Sequence, residues 1–96
     1  MKRSNVLKLL SEHKSELFRR FGVTDLALFG STVRDAAKED SDVDILVAFE
    51  GPATSERYFG VQFYLEDLLG RPVDLVTDKA LRPELRPHVE REAVHV

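Results

Sequence analysis

The fold is decided by two short stretches, LFGSTVR at residues 28–34 and DVDILV at residues 42–47. The first continues an apolar run that begins near Thr24 and ends abruptly at a glycine and a serine. This pattern predicts a short buried strand followed by a turn into a helix. The second stretch is rich in β-branched and apolar residues, which predicts another strand. Because aspartate is depleted in strands, the two aspartates in this stretch call for a functional explanation.

Helical and strand patterns alternate on both sides of these stretches. Apolar residues at helical spacing predict a first helix that is capped by Ser4, runs to about Arg20 and stops at Gly22. The alternation predicts an α/β (α+β) fold in which a small mixed β-sheet is flanked by helices. The other predicted elements are strands at 24–29, 42–49 and 73–77, a short helix from Ser31, a polar connection at 36–41, a helix from Thr54 or Ser55 to Leu69 that stops at Gly70, a short helix near 87–92 and an edge strand at 94–96.

Length and composition limit the classes of function. A chain of 96 residues suits one folding unit, so we expect a single domain over residues 1–96 with an open cleft rather than an enclosed site. The absence of cysteine excludes disulfides, zinc-thiolate sites and thiol nucleophiles. The net charge of -3 makes direct nucleic-acid binding through a broad basic face an unfavourable hypothesis. The apolar stretches are far shorter than the ~20 residues of a membrane span, so we predict a cytoplasmic protein without membrane attachment.

Three aspartates are candidate metal ligands. Side chains alternate along a strand, so Asp42 and Asp44 project from the same face, about 6 to 7 Å apart along the backbone. Two carboxylates in this arrangement can share magnesium ions, which prefer oxygen ligands and keep positions open for water and phosphate. Asp74, on what we predict to be a neighbouring strand, can bring a third carboxylate to that face. With metal bound, it can bind or deprotonate an attacking hydroxyl.

The turn between the two strands is a candidate phosphate site. Gly30 lets the backbone approach a phosphate closely, and the helix start that follows it directs N–H groups toward an anion. The Ser31 hydroxyl adds a donor, and Arg34 can reach a phosphate oxygen with its fixed fork of donors. Each feature alone is common in ordinary turns and strand ends, whereas their order and spacing together favour a functional site. The stretch lacks the G-x-x-x-x-G-K-[ST] pattern of a P-loop.

These motifs resemble the minimal nucleotidyltransferase family, a branch of the polymerase-β-like superfamily. The resemblance rests on GSTVR at 30–34 and SDVDILV at 41–47, extends to LLGRPVDLV at 68–76, and continues more loosely over REAVHV at 91–96. It implies that residues 1–96 form a single minimal nucleotidyltransferase domain. It also implies that Asp42 and Asp44 bind two Mg²⁺ ions with Asp74 as the third carboxylate, and that Gly30 and Ser31 hold the triphosphate of ATP, the usual donor.

The resemblance further implies a biological role. Short members of the family are often antitoxins that bind a helical toxin of the HEPN type and, in some cases, inactivate it by transferring AMP from ATP to one of its tyrosines; this role is the leading hypothesis. A second hypothesis is a non-catalytic binding module that neutralises its partner by steric contact; Asp35 favours it, because family members commonly carry glycine at that position. A third, transfer onto RNA or a small molecule, lacks a basic channel to hold the acceptor. The apolar residues of the second helix leave open both a partner-binding face and internal packing.

Overall fold

The elements follow the alternation predicted from the sequence. The structure is a computed structural model that describes residues 2–34 and 41–96. In this part of the chain the helices are α1 (Arg3–Phe21), α2 (Ser55–Leu69) and α3 (Arg86–Glu92), and the strands are β1 (Val23–Phe29), β2 (Val43–Phe49), β3 (Val73–Thr77) and β4 (Val94–His95). Short 3₁₀ turns follow β1 at Gly30–Thr32 and β3 at Asp78–Ala80.

The described strands form a mixed sheet in the order β3-β2-β1-β4. β1 runs antiparallel to both β2 and β4, whereas β2 and β3 are parallel. Parallel neighbours require a crossover connection, and α2 supplies it between β2 and β3. The predictions of a mixed sheet, of the strand at 73–77 and of an edge strand near the end of the chain are therefore confirmed.

The main core lies between one face of the sheet and the pair α1 and α2. Both helices turn an apolar stripe to this face, and the inward residues of β1, β2 and β3 meet them. Removing these side chains from water is the main favourable term in folding. The fully buried members of this core are Val6, Leu10, Leu17, Leu26, Leu28, Ile45, Val47, Val61 and Leu65.

The opposite face of the sheet has a smaller cover. A second cluster joins Ala27 and Leu46 on the sheet to Leu81 and to Val89 of α3. Along β2, the alternation of side chains places Asp44 on the same face as Leu46. The candidate metal ligands therefore lie on the more open face, at the end of the sheet where β2 and β3 begin.

The helix boundaries correct one prediction and confirm others. α1 begins at Arg3 with Lys2 as its N-cap residue and no side-chain cap, so the prediction that Ser4 caps this helix is wrong. Ser4 lies inside the first turn, where the main-chain bonds from residues 5 and 6 to the carbonyl of Lys2 already begin the helix. α1 and α2 end at the predicted glycines, Gly22 and Gly70, and the Thr54 side chain caps α2 by accepting from the backbone N–H of Arg57.

Within the described residues, the turn after β1 forms a single 3₁₀ turn instead of a longer helix. The short helix predicted from Ser31 is represented by the 3₁₀ turn at Gly30–Thr32. Residues 35–40, which hold most of the predicted polar connection at 36–41, lie outside the described residues.

The apolar residues of α2 divide between the two interpretations left open by the sequence. Val61 and Leu65 are fully buried, so part of the surplus is internal packing. Phe59 and Phe63 are 49% and 62% exposed, and their rings stack with centroids 6.3 Å apart. A partner-binding role for this exposed pair stays a prediction. Within residues 2–34 and 41–96, no helix has the length and apolarity needed to cross a membrane.

Gly60 gives a prediction that tests the packing of α2 against α1. Alanine normally stabilises a helix interior by about 1 kcal/mol relative to glycine. A Cβ at Gly60, however, would lie 2.5 Å from Cε1 and 3.0 Å from Cδ1 of the Phe21 ring, which also meets the ring of Tyr64 edge-on. We expect Gly60→Ala to lower the free energy of unfolding by about 1 to 2 kcal/mol, because overpacking outweighs propensity. Urea unfolding measures the change.

The control for this prediction is the same substitution in a Phe21→Leu background. With the shorter side chain at position 21, Gly60→Ala should recover its helix-propensity gain and stabilise the protein. An increase in stability from Gly60→Ala in the otherwise unchanged chain would show that the Phe21 ring does not restrict this position.

Candidate active site

The parallel register of β2 and β3 brings two of the predicted carboxylates together. Asp44 pairs directly with Asp74 across these strands, and on its other side Asp44 pairs with Phe29, the last residue of β1. Directly paired residues point to the same face, so the two carboxylates are neighbours rather than being separated by the sheet. Asp42 lies just before β2, exposed to solvent and two residues from Asp44. The prediction that Asp74 shares a face with Asp44 therefore agrees with the strand register.

Asp44 is the electrostatic centre of this group. Burial, followed by the negative charge of Asp74 and a hydrogen bond with its side chain, raises the pKa of Asp44 from an ordinary value of 3.8 to about 6. The charges of Asp42 and Glu92 add in the same direction. A carboxylate with several acidic neighbours and partial burial is one that a proton or another cation would stabilise.

Gly30 is required by the closeness of Asp44. Its φ of 75° lies in the left-handed region that glycine adopts without steric cost. A Cβ on Gly30 would collide with the Oδ2 atom of Asp44, so the carboxylate lies directly against the backbone of the turn. The sequence predicted Gly30 for its approach to phosphate. The structure adds that the Asp44 carboxylate packs directly against this turn, so the turn and this carboxylate are neighbours.

Glu92 joins the site from the end of α3. Its Oε1 accepts a hydrogen bond of 2.6 Å from the backbone N–H of Gly30, and its Oε2 accepts one of 2.5 Å from Nη1 of Arg34. Burial raises the pKa of Glu92, but the bonds from Gly30 and Arg34 together hold that pKa below its usual value. Two of the donors that the sequence assigned to phosphate are thus engaged by one carboxylate of the protein.

Sequence reasoning did not assign a role to Glu92. It lies 62 residues from Gly30 and carries no motif of its own, and long-range pairing with the turn is visible only after α3 and β4 fold back onto β1. The one available signal was the loose resemblance at residues 91–96, which gave no role to any single side chain.

The other predicted site residues differ in how far the structure places them. Ser31 is half-buried in the 3₁₀ turn, beside the buried Thr32, and its predicted bond to phosphate stays a prediction. Arg34 is more than half exposed and contacts Glu92. Asp35 lies outside the described residues. Among residues 2–34 and 41–96, no group of three or more histidine, aspartate or glutamate side chains is arranged so that it could already hold a metal ion.

Comparisons with known proteins agree with this geometry. The family model described as a nucleotidyltransferase domain matches residues 10–96. The protein adenylyltransferase MntA of Thermococcus cleftensis is 49% identical over 88 residues, which cover 92% of this chain and 89% of that protein. A candidate protein adenylyltransferase of Methanocaldococcus jannaschii is 36% identical over 94 residues, with 97% and 96% of the two chains covered.

Two solved structures carry the comparison into three dimensions. One, described as a minimal nucleotidyltransferase, superposes with a TM-score of 0.82 at 40% identity and covers 98% of this chain and 95% of its own. A toxin–antitoxin complex with AMP-PNP contains a chain with a TM-score of 0.70 at 21% identity, with coverages of 99% and 72%, which supports the fold. The fold prediction and the prediction of a nucleotidyltransferase enzyme are confirmed. The chain therefore belongs to the nucleotidyltransferase domain family, and its similarity is to the minimal nucleotidyltransferases and protein adenylyltransferases within it.

Proposed function

We propose that this chain is a protein adenylyltransferase that uses Mg²⁺ and ATP to transfer AMP to a tyrosine hydroxyl of a HEPN-type toxin, and so acts as its antitoxin. The observation that carries the proposal is the pairing of Asp44 with Asp74 on the open face of the sheet, against the Gly30 turn. Relatives support the acceptor class: the Thermococcus cleftensis protein is named as a protein adenylyltransferase. A chain of the same fold occurs in a complex of an AMPylated HEPN toxin with its antitoxin.

The acidic residues fit a divalent cation. Burial and the negative charges of Asp74 and Asp42 raise the pKa of Asp44, so this group favours a bound proton. Replacing that proton by a cation would remove the repulsion and let all three carboxylates stay ionised. Asp42 and Asp74 are both exposed, so the fold does not prevent their side chains from turning toward a cation held by Asp44. Two magnesium ions bound there would stabilise negative charge on the attacking and leaving oxygens.

The turn residues would bind the other end of the nucleotide. Gly30 presents its N–H beside Asp44, so a phosphate bound at the turn would lie next to any cation held by the carboxylates. Ser31 and Arg34 would add a hydroxyl and a guanidinium. In the reaction, the acceptor oxygen attacks the α-phosphorus, the bond from that phosphorus to the bridging oxygen breaks, and pyrophosphate leaves with the electron pair. The exposed carboxylate of Asp74 can take the proton of the acceptor hydroxyl.

A second candidate function is supported by a separate observation. Within the described part of the chain no three acidic or histidine side chains already form a metal site, and Gly30 and Arg34 are engaged by Glu92. Both features suit a binding module that neutralises the toxin by steric contact alone. The two candidates differ in one measurable property, which is covalent labelling of the partner.

Covalent labelling of the partner tests the catalytic proposal directly. We expect the purified protein with Mg²⁺ and α-labelled ATP to label a co-expressed HEPN-type protein. Asp42→Asn combined with Asp44→Asn should lower labelling by at least about 100-fold, because loss of direct ligands exceeds the 10- to 100-fold cost of changing residues around a metal site. Chelation of the metal should abolish labelling in the unchanged protein.

The matched control is Asp67→Asn, which removes an exposed aspartate on α2 without touching the carboxylates of the sheet. This control should label normally, and the circular dichroism spectrum of the double variant should match that of the unchanged protein. Equal labelling by the double variant would show that the catalytic assignment is wrong. Neutralisation of the toxin without any labelling, by every version of the protein, would favour the steric binding module instead.

The raised pKa of Asp44 gives a prediction about stability in the absence of metal. The folded protein holds a proton on Asp44 up to about pH 6, whereas the unfolded chain loses it near the ordinary value of 3.8. Between these values the folded state binds more protons, so this group's stabilising contribution is complete below the lower value and is lost as the pH rises through about 6. Since Asp44 is partly exposed, solvent screening reduces the effect to the order of 1 kcal/mol.

The corresponding experiment is urea unfolding with chelator present. Asp44→Asn should increase the free energy of unfolding at pH 7.5 and should increase it less at pH 4.5, where the aspartate is already protonated in the folded state. Glu12→Gln, at an exposed position in α1, is the control for a general loss of negative charge. A gain that is the same at both pH values would contradict the raised pKa of Asp44.

A further inference from the structure

The Glu92 carboxylate has the geometry of a bound anion. One oxygen accepts from the backbone N–H of Gly30 and the other from the guanidinium of Arg34, at 2.6 and 2.5 Å. Charge-assisted bonds from a backbone N–H and an arginine are also the contacts that proteins use for phosphate. The side chain of Glu92 is 17% exposed, so it lies within the turn rather than in bulk solvent.

We propose that Glu92 is a further residue of the nucleotide site, which occupies the position of a phosphate group in the nucleotide-free protein and sets nucleotide affinity by competing for Gly30 and Arg34. The inference rests on the proposed nucleotidyltransferase site and concerns a residue outside its motifs. It implies that the carboxylate leaves the N–H of Gly30 when the triphosphate binds, and returns when the nucleotide departs.

Exchange is required because the carboxylate and a phosphate cannot share the same donor. Gly30 has a single N–H, which already donates a 2.6 Å hydrogen bond to Oε1 of Glu92. A triphosphate placed beside Glu92 would also bring like charges together in a partly desolvated site, where repulsion is less screened than in water. Arg34 has further N–H groups and can follow either anion, since more than half of its side chain is exposed.

Apart from these two donors and the nearby charge of His88, which also lowers the pKa of Glu92, the position of Glu92 is unfavourable. It is the last residue of α3, and a negative charge at a helix C-terminus opposes the helix dipole. Its charge also contributes to raising the pKa of Asp44, so it lies close enough to the acidic pair to be repelled by it. Gly30 and Arg34 are therefore what keeps the carboxylate in place, and a better anion at these donors would release it.

The segment that carries Glu92 is suited to such a movement. α3 has seven residues, of which Val89 is buried, and β4 pairs with β1 through two residues. Elements with few buried contacts and short ladders belong to the low-stability end of a fold, where local opening requires the least free energy. Val89 belongs to the small second cluster, so movement of α3 leaves the main core in place, whereas Val94 and Val96 of the following segment pack against that core.

The decisive experiment compares ATP affinity by isothermal titration calorimetry with Mg²⁺ for the unchanged protein, Glu92→Gln and Glu90→Gln. If Glu92 fills the site for 70 to 90% of the time, its neutralisation should lower the Kd for ATP by about three- to tenfold. Glutamine keeps the size of the side chain and an oxygen acceptor for Gly30. Glu90→Gln is the matched control, since Glu90 lies on α3 with its side chain toward Arg86, and it should leave the Kd within about twofold.

The outcomes separate this inference from the proposed function. If the unchanged protein binds ATP and Glu92→Gln binds it equally or more weakly, Glu92 is not a competitor and the inference is wrong, while the proposed function stands. If none of the three proteins binds ATP, both are wrong.

A second measurement follows the contact itself, by the amide resonance of Gly30 in ¹⁵N-labelled protein. Glu92→Gln should shift this resonance without nucleotide, and saturating ATP should shift it in the unchanged protein together with amides of α3 and β4. A Gly30 resonance that ATP leaves in place would show that the carboxylate is not displaced, and would overturn the inference.

Discussion

The pairing of β2 with β3 brings two like charges, Asp44 and Asp74, side by side, and the rest of the site is arranged around that repulsion. A pair of neighbouring carboxylates on a strand pair destabilises the folded state unless a proton or a cation lies between them. The buried apolar core on the other face, which α1 and α2 cover, offsets this unfavourable contribution to the free energy of folding. The sheet thus separates the two requirements, stability on one face and chemistry on the other.

The connection through α2 is what fixes this pairing. β2 and β3 can be parallel only because α2 crosses back over the sheet, and the start of α2 is fixed by the Thr54 cap. The register is further secured by Ile45 and Leu75, neighbours of the two aspartates, which are buried in the core. A shift of one residue would turn these apolar side chains to solvent and the carboxylates into the core, so hydrophobic burial determines where the acidic pair lies.

The sequence predicted this architecture well where a pattern is local. The periodicity of the helices, the β-branched run of β2, and the glycines that end α1 and α2 are all set by neighbouring residues. The start of α1 was misjudged because Ser4 has a strong intrinsic preference for the N-cap, whereas the N-cap residue is Lys2, two residues earlier, without a side-chain cap. Glu92 could not be found at all, because its role depends on a contact between the last helix and the first turn of the sheet.

The contacts of Glu92 change the interpretation of the Gly30 turn. The sequence predicted that Gly30 and Arg34 donate hydrogen bonds to phosphate. In the folded protein both donate to the carboxylate of Glu92. Buried or partly buried donors are rarely left unpaired. Donors that bind a ligand for part of the time therefore need another acceptor when the ligand is not bound. The Glu92 carboxylate can be this acceptor. Because it is repelled by Asp44, we expect it to bind these donors less tightly than a phosphate whose charge is neutralised by bound cations. The acidic pair and the two donors proposed for phosphate are therefore coupled through Glu92, because the carboxylate that binds Gly30 and Arg34 also lies close enough to raise the pKa of Asp44.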